Sequence, residues 1–169
     1  MIIIVRHGET YANVKEGEQP SLTENGREQS KKLRDKLANL PIKNIISSDL
    51  DRALDTAKII NEKHSLNINI DAKYREIYRL IVGGPKNKSR PFRKKEDTKR
   101  AERVLGSLAS LTDNTLIVTH GNLIRYFIAK KLNLPPKKMW NLYLSPCCIL
   151  VLSKENVKLF QSEDLSEFN

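Results

Sequence analysis

The chain has 169 residues, 39% of them apolar and 30% charged, with a formal net charge of +10. That length suits one domain around one core, and the apolar share excludes disorder over the whole chain. The basic balance favours anionic partners and is silent on fold; a well-solvated Lys-rich surface accounts for it equally well.

Met1 to Val5 is apolar but too short for a signal peptide and lacks a basic start. No stretch approaches a membrane span, so the expectation is a cytoplasmic protein with no membrane partner. Ile2-Ile3-Ile4-Val5 reads as a strand buried on both faces. Residues 8–22 are polar, with Gly8, Gly17 and Pro20, and read as a loop. Thr23 can cap a helix whose stripe is Ser30, Leu33, Leu37 and Leu40, with Pro41 just beyond its end. Asn44-Ile45-Ile46 is a second strand. A helix then starts at Asp49 or Asp51, with Leu54, Ala57 and either Ile60 or Ile59 on its apolar face. Ile68-Asn69-Ile70 suggests a short strand, and residues 77–97 are the least regular part. A helix over roughly 98–111 carries Ala101, Val104, Leu108 and Leu111. Thr115 to Val118 is another buried-type strand, Gly121 marks the turn, and a helix with Ile124, Phe127, Ile128 and Leu132 runs until Pro135-Pro136 stops it. Ile149–Leu152 and Val157–Phe160 flank a Lys154-Glu155-Asn156 turn and predict a hairpin. The chain is expected to fray from Glu163, which leaves one catalytic domain over 1–162 and a tail over 163–169.

The adjacent cysteines Cys147 and Cys148 would point to opposite faces of a strand and are poor disulfide partners. They read as small buried hydrophobes in a reducing compartment, with no further His or Cys nearby to complete a metal site.

Strands alternating with helices argue for an α/β domain with a mostly parallel sheet, in which sites form at the carboxyl ends of strands. Three strand ends deliver Arg6 and His7, Arg52, and His120 towards one crevice, with Glu76 after the short third strand. Such a set suits phosphoryl transfer. A neutral histidine attacks phosphorus, arginine forks hold the equatorial oxygens, and a carboxylic acid protonates the leaving oxygen and then activates water. The scheme calls for no metal and no cofactor.

Arg6-His7-Gly8-Glu9-Thr10 resembles the R-H-G-E-[TS] motif of the histidine phosphatase (phosphoglycerate-mutase-like) superfamily, branch 1. Leu22 to Gln29 resembles its L-T-x-x-G-x-x-Q segment, and Ser47 to Ala57 resembles S-S-D-L-x-R-A-x-x-T-A. Tyr74-Arg75-Glu76-Ile77 resembles L-R-E-I, and Val118-Thr119-His120-Gly121 resembles the second histidine motif. The resemblance implies a three-layer αβα sandwich around a mostly parallel sheet. It implies that His7 is the phosphorylated nucleophile, that Arg6, Arg52 and His120 complete the phosphate pocket, that Asn13 donates a hydrogen bond to the phosphate, and that Glu76 is the proton donor. Glu9 is expected to orient its neighbours. Asn122 stands where the family often has a small residue and is expected to reach the substrate, and Pro146 replaces a frequent asparagine.

The function expected is hydrolysis of phosphate monoesters, on a small phosphorylated metabolite or a phosphoprotein. The alternatives are a phosphoglycerate mutase, a phosphohistidine phosphatase and a catalytically idle binding module. The basic stretch from Lys86 to Arg103 reads as a solvated loop running into a helix or, alternatively, as a rim attracting a multiply charged substrate. With Phe92 its one aromatic, it argues against nucleic acid. Oligomeric state is left open.

Overall fold

The computed structural model describes residues 1–11, 19–77, 91–135, 138–139, 141–153 and 156–168, with backbone alone for 91–95 and 166–167. Among these residues six strands form one sheet: β1 (Ile2–Arg6), β2 (Asn44–Ser47), β3 (Ile68–Ile70), β4 (Thr115–Thr119), β5 (Ile149–Leu152) and β6 (Val157–Phe160), in the order β3-β2-β4-β1-β5-β6. The first four run parallel, with Ile4 opposite Ile117 and Ile46 opposite Ile117 on its other side. β5 and β6 add an antiparallel edge beside β1.

The period of two along β1 decides the layers. Ile3 and Val5 pack with Leu33 and Leu37 of α1 (Glu24–Leu37) and with Ala53, Ala57 and Ile60 of α2 (Asp51–Asn61). Ile2 and Ile4 pack on the other face with Ala101 and Val104 of α3 (Pro91–Ser107) and with Leu123 and Phe127 of α4 (Gly121–Lys131). The result is the expected α/β sandwich, helices on both faces of a mostly parallel sheet. Cys147 and Cys148 divide the same way, one into each apolar cluster, both free and buried.

Several details differ from the expectation. α3 begins at Pro91 rather than near 98, because a proline suits the first position of a helix, where no intrahelical N–H is needed. α3 stops at Ser107, and a 3₁₀ turn, Leu108–Ser110, completes the predicted stretch. In α2 the buried choice is Ile60, and Ala53 rather than Leu54 lies fully inside. α4 ends at Lys131 and leaves Leu132 exposed, so the helix stops before the proline pair. As far as Phe168 the segment expected to fray is ordered: Ser162–Glu167 winds into a 3₁₀ turn, and Phe168 is 6% exposed with its ring 5.1 Å from that of Phe160. Lys154 and Glu155 of the predicted turn, and most of the irregular stretch after Ile77, lie outside the described residues.

Candidate active site

His7 leaves the carboxyl end of β1 and is 6% exposed. Its Nδ1 lies 2.7 Å from the carbonyl of Gly8. A carbonyl only accepts, so Nδ1 carries the proton and Nε2 presents a lone pair. Arg52, 9% exposed in the first turn of α2, directs its Nε to that Nε2 at 3.3 Å. Burial first, and the charges of Arg52 and Arg6 after it, push the His7 pKa down to about 3, against the raising effect of the Gly8 hydrogen bond. The ring is therefore neutral and nucleophilic at ordinary pH.

His120 is the N-cap residue of α4, fully buried, its ring 5.1 Å from that of His7 and edge-on to it. Its Nε2 meets the hydroxyl of Ser48 at 2.8 Å. Burial, then the His7 ring and three arginines, lower its pKa as well. Arg6 ends β1 and donates through Nη1 to the carbonyl of Leu144. Arg6 Nε and His120 Nδ1 are both buried, with no hydrogen-bond partner among the described residues.

Glu76 reaches the same place from the turn after β3. Its carboxylate accepts N–H bonds from Asn122 at 3.0 Å and Leu123 at 3.2 Å, in the first turn of α4, and from Ile77 at 3.0 Å. The helix N-terminus favours the ionised form, yet burial outweighs it and raises the Glu76 pKa. A cavity of about 910 Å³ opens beside Glu76 and Gln19, with Lys73, Arg75, Arg100 and Arg103 among its walls.

The motifs interlock through backbone approach. Thr23 caps α1 by accepting from the Gly26 N–H at 2.9 Å and donates its hydroxyl to Glu9 at 2.7 Å. Gln29 accepts the Glu9 N–H at 2.9 Å. A Cβ on Gly26 would collide with the Glu9 carbonyl, and one on Gly8 with the Gly26 carbonyl. Glu9 thus ties the loop to the start of α1, with Asn25 as a further donor to its carboxylate. Thr56 accepts the Gly8 N–H at 3.1 Å and donates to the Arg52 carbonyl at 2.8 Å, which ties the His7 loop to α2. Cys147, at φ 58°, offers its N–H to the His7 carbonyl from behind.

The structure therefore brings together His7, Arg6, Arg52, His120 and Glu76. Asn13 lies outside the described residues. The amide of Asn122 is engaged within the protein, its Nδ2 donating to the Ile77 carbonyl at 2.9 Å and its Oδ1 accepting from Arg125 at 3.1 Å, so it holds the Glu76 segment rather than standing open to a substrate. Ser48 and Thr56 lie inside a recognised motif without having been given a role. Gln19, which accepts from Arg52 Nη1 at 3.0 Å, carried no signal, and Arg100, which binds the backbone around Glu76, stood out only as one cation of the basic stretch. Among the described residues no cluster of His, Cys, Asp and Glu could hold a metal ion, and no helix is long and apolar enough to cross a membrane.

A model of the histidine phosphatase superfamily (branch 1) matches residues 2–98 and 93–161. The chain belongs to that superfamily. Among histidine phosphatase relatives, the adenosylcobalamin/alpha-ribazole phosphatase of Salmonella typhimurium is 28% identical over 176 residues, 86% of this chain and 86% of that one. The mitochondrial serine/threonine-protein phosphatase Pgam5 of Drosophila willistoni is 36% identical over 155 residues, 80% of this chain and 52% of that one. The crystal structure of the alpha-ribazole phosphatase from Shigella flexneri superposes with a TM-score of 0.73 at 21% identity, across 94% of this chain and 93% of that one, which shows the shared fold.

Proposed function

We propose that this chain hydrolyses phosphate monoesters through a covalent phosphohistidine on His7, with Glu76 as proton donor. The observation that carries the reading is the state of His7: neutral, its proton fixed on Nδ1 by Gly8, its Nε2 lone pair facing a buried guanidinium. In the first step Nε2 bonds to phosphorus, the P–O bond breaks, and Glu76 gives its proton to the leaving oxygen. In the second, the Glu76 carboxylate takes a proton from water, the water oxygen bonds to phosphorus, and the P–N bond breaks. His7 returns neutral and Glu76 protonated. Arg52 and Arg6 stabilise charge on the equatorial oxygens throughout, and the buried Arg6 Nε, without a partner among the described residues, gains an acceptor from a phosphate oxygen.

The pKa of Glu76, raised by burial, fits a proton donor, while three N–H contacts steady the carboxylate once the proton has left. The cavity beside Glu76 is far larger than a phosphate and is the natural place for the leaving group. Phosphatases among the relatives support the same reaction class, and a small phosphorylated metabolite or a phosphoprotein is the substrate class proposed.

Turnover of p-nitrophenyl phosphate in EDTA by the wild type, with a fall on the order of a thousandfold or more in a His7→Ala variant, is the expected result. Equal residual rates in the two proteins would remove His7 from the mechanism. A 3-phosphoglycerate assay with 2,3-bisphosphoglycerate separates hydrolysis from mutase activity: net phosphate release supports the proposal, and interconversion without release overturns it.

A further inference from the structure

The turn that carries Glu76 lies outside the sheet, so none of its carbonyls is satisfied by a strand partner. Backbone groups removed from water still need partners. Here five successive carbonyls are all taken by side chains. Thr119 donates to the Tyr74 carbonyl at 2.6 Å, and Asn122 donates to that of Ile77 at 2.9 Å. The remaining three belong to Arg100. Its Nη1 donates to the Lys73 carbonyl at 2.8 Å and the Arg75 carbonyl at 2.7 Å, and its Nη2 donates to the Glu76 carbonyl at 2.9 Å. Nη2 also meets Asp97, one helical turn back on α3, at 2.9 Å, which holds the guanidinium in plane. The Arg100 side chain is 19% exposed, so a residue from the middle of a basic run faces inward.

We infer that Arg100 is a positioning residue for the proton donor: its fork locks the Glu76 turn to α3, so that the carboxyl group is held at the N-terminus of α4 beside His120. The inference rests on the reading of Glu76 as general acid. An arginine's planar fork reaches three carbonyls and Asp97 from two separate nitrogens; a lysine, with three donors on one nitrogen, cannot make all four contacts. The side chain of Arg75 cannot share the task, because it is turned away in a two-point pair with Asp49 at 2.7 and 2.5 Å. A misplacement of the acid by about 1 Å is enough to cost on the order of a hundredfold in proton transfer.

The test uses leaving groups of different need. An alkyl phosphate such as β-glycerophosphate requires a proton on its departing oxygen; p-nitrophenyl phosphate barely does. Because kcat/KM reports steps up to the first irreversible one, it reads leaving-group departure and not the later hydrolysis of phosphohistidine. Arg100→Gln is expected to lower kcat/KM for β-glycerophosphate at least tenfold more than for p-nitrophenyl phosphate. Arg100→Lys should show the same selective loss in smaller measure, and it serves as the second variant should the glutamine protein fold poorly. In a Glu76→Gln background, Arg100→Gln should add little on either substrate, since two residues acting through one carboxyl group are not additive. Equal losses on both substrates, or a full further loss on top of Glu76→Gln, would mean a merely structural arginine and overturn the inference. If Glu76→Gln itself shows no preference for the good leaving group, the acid assignment falls and the inference falls with it. If Glu76→Gln shows it and both Arg100 variants do not, the inference alone falls.

Discussion

Gly26 sits in the first turn of α1, where alanine would normally be the better helix former by up to about 1 kcal/mol. That gain is outweighed here. A methyl group added at this position would overlap the carbonyl of Glu9, a backbone atom that cannot swing aside, and the loop carrying His7 would have to move. Overpacking of this sort costs about 1–3 kcal/mol. Gly26→Ala is therefore expected to lower stability by about 1–2 kcal/mol net and to reduce kcat through the displaced His7 loop. Urea unfolding beside a p-nitrophenyl phosphate assay checks both; a stabilised, fully active variant would refute the close-approach argument. Much of the site was legible residue by residue, and for physical reasons. His7, Arg52 and His120 follow buried strands, where strand ends converge, and their motifs have fixed spacing because the glycines and caps between them touch. Arg100 was not legible, because nothing in a run such as Lys99-Arg100 distinguishes a guanidinium turned inward onto carbonyls from one turned out to water. The bonds of Asn122 within the protein were hidden for a related reason: an amide next to His120 serves a backbone carbonyl as readily as a substrate.

Elements with strong periodicity were readable in advance, and those whose limits depend on tertiary contact were not. β1 and β4 are continuous β-branched and apolar runs and lie where expected. α3 reaches back to Pro91 because a helix docked by Val104 and Ala101, and held by Arg100, can extend through a charged segment with little apolar signal of its own. The C-terminal segment shows the same effect. Ser-Glu-Asp-Leu-Ser-Glu looks like solvent-exposed chain, yet Phe168 beyond it drops into the cluster formed by α1, α2 and the sheet and meets Phe160 edge-on. Removing that ring forfeits its burial and the aromatic pair. Phe168→Ala is expected to cost about 3 kcal/mol, which for a chain of this size lowers Tm by roughly 6–12 °C. Thermal unfolding of the two proteins is the measurement. An unchanged Tm would restore the frayed tail that the sequence suggested.

A site built from buried neutral histidines makes the whole molecule sensitive to acid. His7 and His120 both have pKa values depressed in the folded protein, chiefly by burial, with His7 at about 3 against an ordinary 6.5. Once pH falls below about 6.5 the unfolded chain takes up protons on these rings that the folded chain refuses, so the stability they contribute above 6.5 is lost progressively, for His7 down to about pH 3. Each ring adds a slope of roughly 1.4 kcal/mol per pH unit when fully engaged, so the pair together approaches about 2.7. Glu76 works in the opposite sense: its raised pKa means that the folded state binds its proton first, which supports the fold at low pH and offsets part of the loss. The histidine decline therefore begins near pH 6.5, and Glu76 makes it shallower. His64, at the end of α2, is shifted in the same direction as the site histidines by partial burial and supplies a background common to every variant. In phosphate-free buffer, unfolding free energy measured from about pH 8 to about pH 5 should fall for the wild type, and His7→Gln should flatten the slope by up to about half. The Gln side chain keeps a polar group near Gly8 and Arg52, so the comparison isolates titration from packing. An identical slope in the two proteins would show that His7 is protonated as easily folded as unfolded, and a ring in that state could not serve as the neutral nucleophile proposed.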